Sequence, residues 1–250
     1  MCKRLLGLED NPKVRGLNDS NNSIKKTVHL EDDSSVISPS AAILAVIATF
    51  ALFLVVGAGL LLFLGYPFAL VSGELLLVVV PLGYMLHKRV DIKKYIGLEV
   101  TPKLFFHGMF IGGLLFIFDV AITSVLVGIF GTSEAIEEAG AIIEGLSSSQ
   151  QGLLIVVSAL LLAGICEEFT FRGFLQTAIN AKYPSAVALL TSSLTFGLLH
   201  FDPQFVYSLS AFMLGLLFGY VYNRWHSYIV SAVAHGTLNI IVLAITLLLP

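Results

Sequence analysis

Six side chains in the last hundred residues have types and spacings that could carry chemistry: Glu167, Glu168, Arg172, His200, His235 and Asn239. All six lie in strongly apolar stretches. An ionisable group in hydrocarbon costs about 3 kcal/mol on insertion scales, so each needs a partner or a purpose. Glu168 and Arg172 are four residues apart, so on a helix they share a face and are expected to pair. Glu167 points about 100° away. It is left without that partner and with little water around it, which suits a general base. The alternative for these three residues is a purely structural ion network.

His200 closes the segment Phe196-Gly197-Leu198-Leu199-His200. Upstream of it, Lys182-Tyr183-Pro184 reads as a turn, with proline free to start the next helix. Tyr183 follows Glu167 by 16 residues and precedes His200 by 17. In an antiparallel hairpin such positions stand level, roughly 25 Å above the turn at about 1.5 Å per residue. Glu167 is therefore expected beside His200. His235 and Asn239, four apart, share one face of a later helix and together suit an oxyanion. Counted from a turn near Asn223 they stand about 18 and 24 Å up, so helix tilt must bring His235 level with the first pair. Alone, each pair also fits an ordinary interhelical hydrogen bond.

Together the set supplies what amide hydrolysis needs without a covalent intermediate. Glu167 and His200 would hold and deprotonate a water, and His235 and Asn239 would stabilise the tetrahedral oxyanion. No serine or cysteine sits in a triad motif, and Cys166 is directed about 100° away from Glu167. Glu, His and His are competent zinc ligands. However, no His-Glu-x-x-His helix is present, and the ligands would come from three separate helices, so no metal or cofactor is expected. Glu74, His107 and Asp119 read as isolated groups near interfaces or in packing.

The elements that must position these residues are membrane helices. Of 250 residues, 56% are hydrophobic and 12% charged, against about 25% charged in a soluble domain. A formal net charge of -3 argues against a nucleic-acid partner. A spanning helix needs about 20 apolar residues, and seven stretches qualify: Pro39–Leu64, Pro67–Leu86, Leu104–Phe130, Gly152–Ala181, Pro184–His200, Gln204–Tyr222 and Ser227–Leu249. The fourth is over-long and the fifth short. The expected fold is an all-α, polytopic transmembrane bundle of seven to eight spans with a four-helix catalytic core at its C-terminal end.

Residues 1–38 read as a polar, flexible tail, 39–150 as N-terminal membrane helices with an acidic loop, and 151–250 as the catalytic core. Basic residues in the tail, in His87-Lys88-Arg89-Val90-Asp91-Ile92-Lys93-Lys94 and at Lys103, Lys182 and Arg224 all fall on one side, expected to be the cytoplasm. The 131–150 loop, with Glu134, Glu137, Glu138 and Glu144 and no Lys or Arg, falls on the other. Gly215 and Gly219 form a small-xxx-small pair that suggests close helix packing. Two cysteines, Cys2 and Cys166, make no disulfide framework.

Glu167-Glu168-x-x-x-Arg172-Gly173, then Phe196-x-x-x-His200, then His235-x-x-x-Asn239, resemble the three motifs of the CPBP (Abi) family. This family comprises CAAX prenyl proteases, the Ras-converting endopeptidase among them, and bacteriocin-processing enzymes. The likeness spans about residues 152–241. It implies a helical membrane fold and a glutamate-type intramembrane protease. Glu167 and His200 would activate the water, His235 and Asn239 would form the oxyanion site, and Glu168 and Arg172 would support them. The implied substrate is a prenylated CAAX-type or other membrane-associated peptide or protein, cut near its C-terminus. The alternatives are a non-enzymatic membrane interaction or immunity-like protein, a zinc-dependent membrane protease, and a proton-coupled transporter.

Overall fold

A computed structural model describes residues 37–248 of the chain, and among these every regular element is helical. The polar tail with its expected cytoplasmic placement, and Cys2 within it, lie outside the described residues, apart from Ile37 and Ser38.

Several of the helices start where a side chain can satisfy the free N–H groups of a first turn. Ser38 caps α1 (Pro39–Leu64), with Pro39 in the first turn where its missing N–H costs nothing. A left-handed Gly65 separates it from α2 (Tyr66–His87). Asp91 caps a single turn, α3 (Ile92–Ile96), which ends on Gly97 with φ 65°. That glycine is required twice over, because a Cβ there would also collide with the His226 carbonyl. Thr101 caps α4 (Pro102–Phe130), which closes on Gly131. Ser133 caps α5 (Glu134–Ser147), whose first turn holds Glu134 and Glu137 at the positive end of the helix. The 131–150 stretch, expected as a loop, is thus mostly an amphipathic helix.

Ser149 caps α6 (Gln150–Glu168). The helix then widens into a π-helical segment, Phe169–Gln176, all eight residues of which are buried, and tightens again in α7 (Thr177–Asn180). After the expected turn come α8 (Ser185–Leu199), α9 (Val206–Trp225) and α10 (Tyr228–Leu248).

Six helical stretches are long and apolar enough to cross a membrane, with Ser185–Leu199 a shorter apolar seventh. Their outer faces carry exposed Leu62, Phe63, Phe110, Ile129, Leu154 and Leu248, as lipid contact requires. The protein is a polytopic helical membrane bundle. The seven expected stretches coincide with the observed helices to within a few residues. Helix α10 packs mainly on α4 and α6, α2 on α1 and α6, and α8 on α9.

Two close approaches bring the motif helices together. A Cβ on Gly164 would lie 2.7 Å from the Gly236 nitrogen and 2.9 Å from the Ala232 carbonyl, so α6 and α10 touch backbone to backbone. Gly215 seats against Ser193 of α8, where a Cβ would be 3.1 Å from Cα. The Gly215 and Gly219 pair thus packs α9 tightly against its neighbours, as its spacing suggested.

Candidate active site

The turn of α6 just before the π-helical segment carries Glu167 and Glu168, and the two carboxylates face different partners. Glu168 and Arg172 are both wholly inaccessible to solvent, and Glu168 Oε1 lies 3.0 Å from Arg172 Nη1. Arg172 Nη2 also donates to the Gly215 carbonyl of α9 at 3.0 Å. Its guanidinium sits over the Phe196 ring, 4.5 Å from the centroid, with Phe218 on another side at 5.5 Å. Ser231 of α10 donates its hydroxyl to Glu168 Oε2. Hydrogen bonds thus satisfy both Glu168 oxygens and Arg172 Nη2, while Arg172 Nε and Nη1 rely on the ion pair and the flanking rings.

Glu167 turns the other way. Its Oε1 lies 3.9 Å from His200 Nε2 and its Oε2 lies 3.7 Å from His235 Nε2. Its Oε2 is buried and takes part in no hydrogen bond. The hairpin count placed Glu167 beside His200, and the two are adjacent. His235 also reaches Glu167, close to where Gly164 of α6 meets Gly236 of α10.

Partners fix the tautomers of both histidines. His200 Nδ1 lies 2.9 Å from the Phe196 carbonyl, which can only accept, so Nδ1 carries the hydrogen. His235 Nδ1 lies 3.1 Å from Glu168 Oε1, a carboxylate held ionic by Arg172, so it too carries hydrogen. In its neutral form each ring then presents a bare Nε2 to Glu167. Each Glu167 oxygen thus faces one Nε2, at a separation that a bridging donor such as water could fill. His235 Nε2 can itself donate only when that ring carries both hydrogens.

Asn239 is half-buried, and its amide donates one N–H to the Leu160 carbonyl at 3.1 Å. That bond fixes the amide plane and leaves a second N–H available. The structure thus brings Glu167, Glu168, Arg172, His200 and His235 into one contact network and anchors Asn239 separately on α6, two turns before Glu167.

Several supporting residues were not singled out by sequence. Phe218 stacks on His235 with centroids 4.6 Å apart and an interplanar angle of 18°. Tyr207 meets His200 edge-on at 5.0 Å. Ser231 precedes His235 by four residues, a spacing that could have revealed it. Phe218 and Tyr207 carry no such signal.

The connection after His200 is tied down as well. Asp202 accepts from the Ser208 backbone at 2.9 Å and from the Ser133 hydroxyl at 2.9 Å, which joins the α8–α9 turn to the start of α5. Burial, the largest influence on the Asp202 carboxyl, acts upward. Hydrogen bonds from Ser208, Ser133 and Tyr207 outweigh it and hold the group below the usual aspartate range.

Among the described residues no three His, Cys, Asp or Glu side chains are arranged to hold a metal ion. The helices define the class as a polytopic membrane protein, with a carboxylate–histidine cluster buried among them. Residues 149–241 match the family model described as Type II CAAX prenyl endopeptidase Rce1-like. No curated protein and no solved structure matches the chain.

Proposed function

We propose that the protein is an intramembrane endopeptidase that hydrolyses a peptide bond near the C-terminus of a prenylated, CAAX-type substrate. The observation that carries this reading is Glu167 set between the two Nε2 atoms, at 3.9 and 3.7 Å, in a site where both Nδ1 atoms are already committed. The match of residues 149–241 to CAAX prenyl endopeptidases supports the substrate class.

In this mechanism a water donates one hydrogen to Glu167 and one to His200 Nε2. Glu167 takes the proton as the oxygen attacks the scissile carbonyl, and later delivers it to the leaving amine. The free N–H of Asn239 stabilises the oxyanion, and His235 joins it when its Nε2 has taken up a proton from solvent before the peptide binds. Glu168 and Arg172 hold His235 and the π-helical turn in place without meeting the substrate. The basic segments face the cytoplasm in this reading, and the peptide enters between the helices from the bilayer.

Mass spectrometry of a farnesylated CAAX-type peptide incubated with purified protein tests the assignment. The expected products are the released terminal tripeptide and a peptide ending in the prenylated cysteine. Cleavage of the unprenylated peptide at an equal rate would remove the prenyl part of the proposal. An intact peptide beside properly folded protein would favour a binding role for the same polar cluster.

A further inference from the structure

A third carboxyl group approaches the site from α2. Glu74 is half-buried, and its Oε2 is shut off from solvent with no hydrogen-bond partner, the same condition as Glu167 Oε2. The register between the helices is fixed by one bond: Thr170 Oγ1 donates to the Leu77 carbonyl at 2.9 Å. Alternation of the spans makes α2 and α6 parallel. Three residues back from Leu77 is Glu74, and three back from Thr170 is Glu167. A step of three returns to the same helix face, so the two carboxyls stand level on facing sides. Glu74 is accordingly within electrostatic reach of Glu167 and Cys166, and of Tyr207 beyond them.

The charges around them leave Glu74 without a cation. The elements packed on α2 are α1, α6 and the π-helical segment. Helix α1 contributes no titratable side chain, α6 contributes Cys166, Glu167 and Glu168, and the π-helical segment contributes Arg172. Arg172 is committed to Glu168, and His200 and His235 face Glu167. Among the described residues no Lys, Arg or His pairs with Glu74. Two carboxylates this close in a water-poor interior do not both ionise.

We propose that Glu74 is a positioning residue for Glu167: its carboxyl keeps a proton and shares it with Glu167 through one bridging water. The pair then carries one proton and one negative charge at rest. Glu167 accepts the water's proton to give a neutral pair, and delivery to the leaving amine restores the starting state. This step rests on the hydrolytic reading above, whereas the pairing itself does not.

Infrared spectroscopy of the full chain in detergent at neutral pH tests the pairing without substrate. The difference between wild type and Glu74→Gln should contain the C=O stretch of a protonated carboxyl. In Glu167→Gln that stretch should persist at a changed frequency, because its partner has become an amide. Glu74→Asp keeps the acid and should move the stretch, which covers a Gln variant that does not fold. With a farnesylated peptide, Glu74→Gln should lower kcat about 10- to 100-fold, on the scale of a misplaced catalytic group. KM should stay within about twofold and the pH–rate profile should be displaced, neither of which a purely structural role at α2 produces. A missing carboxyl stretch in the difference, or one whose frequency ignores Glu167→Gln, overturns the pairing. A wild type that does not cleave overturns the hydrolytic reading alone, and the infrared result still decides whether Glu74 and Glu167 are paired.

Discussion

Nδ1 of His235 lies 3.1 Å from Oε1 of Glu168, the same oxygen that Arg172 Nη1 meets at 3.0 Å. One carboxylate therefore holds both a guanidinium and the ring whose far nitrogen faces Glu167. The two adjacent glutamates differ in kind: Glu168 is saturated with partners and Glu167 is not.

That difference predicts opposite outcomes for neighbouring substitutions. Arg172→Ala leaves Glu168 as an uncompensated buried charge and should destabilise the fold by about 3–5 kcal/mol. Glu167→Gln removes no hydrogen bond seen in the structure and should leave thermal unfolding in detergent close to wild type. Melting curves of the two variants side by side check this.

His200→Ala should lower kcat by about 10²–10⁴, the range for losing a general acid–base partner. Asn239→Ala should lower it by about 10²–10³, as for an oxyanion donor. Both variants should stay folded, since the His200 ring hydrogen-bonds only the Phe196 carbonyl of its own helix and Asn239 makes one bond to the Leu160 carbonyl. Single-turnover hydrolysis of a prenylated peptide separates these losses from changes in binding.

Gly164→Leu should act through geometry alone. Even a Cβ there would stand 2.7 Å from the Gly236 nitrogen, with backbone atoms that cannot swing aside. Overpacking of this sort costs about 1–3 kcal/mol. Pushing α10 away would also widen the gap between His235 and both glutamates. Stability and activity should fall together, while Gly113→Leu, where nothing lies within 4 Å of a Cβ, should change neither.

The Asp202 anchor sets a pH dependence with a definite sign. Its carboxyl is held below the ordinary aspartate value of 3.8, so its contribution is present above that range and is lost as pH falls through the lowered value. Protection factors for amide exchange in the α8–α9 turn, corrected for the intrinsic rate at each pH, should be flat from neutral pH down to about the ordinary aspartate range. Asp202→Asn should lower them at all these pH values.

Much of this was legible in the sequence because membrane helices announce themselves by length and apolarity, and helix arithmetic is nearly rigid. Counting from Tyr183 placed Glu167 beside His200, and the i,i+4 rule paired Glu168 with Arg172. The π-helical segment was not legible: Phe169–Gln176 has no composition that marks a wider turn, and burial on every side selects it. The joining of His235 to both glutamates was equally hidden, because it depends on how closely α6 approaches α10. Glu74 read as isolated because its neighbour in space is 93 residues away in sequence, and only the Thr170–Leu77 bond reveals the register. Likewise α5 reads as loop in the sequence because it is too short and too acidic for a span.

The most direct test of the central claim is hydrolysis of a fluorogenic farnesylated CAAX-type peptide by purified wild type and Glu167→Gln, each with and without a zinc chelator. The account predicts that wild type cleaves equally well with chelator and that folded Glu167→Gln cleaves at most about 10⁻² as fast, the least loss expected for a general base. Undiminished cleavage by Glu167→Gln, or abolition of wild-type cleavage by the chelator, would contradict it.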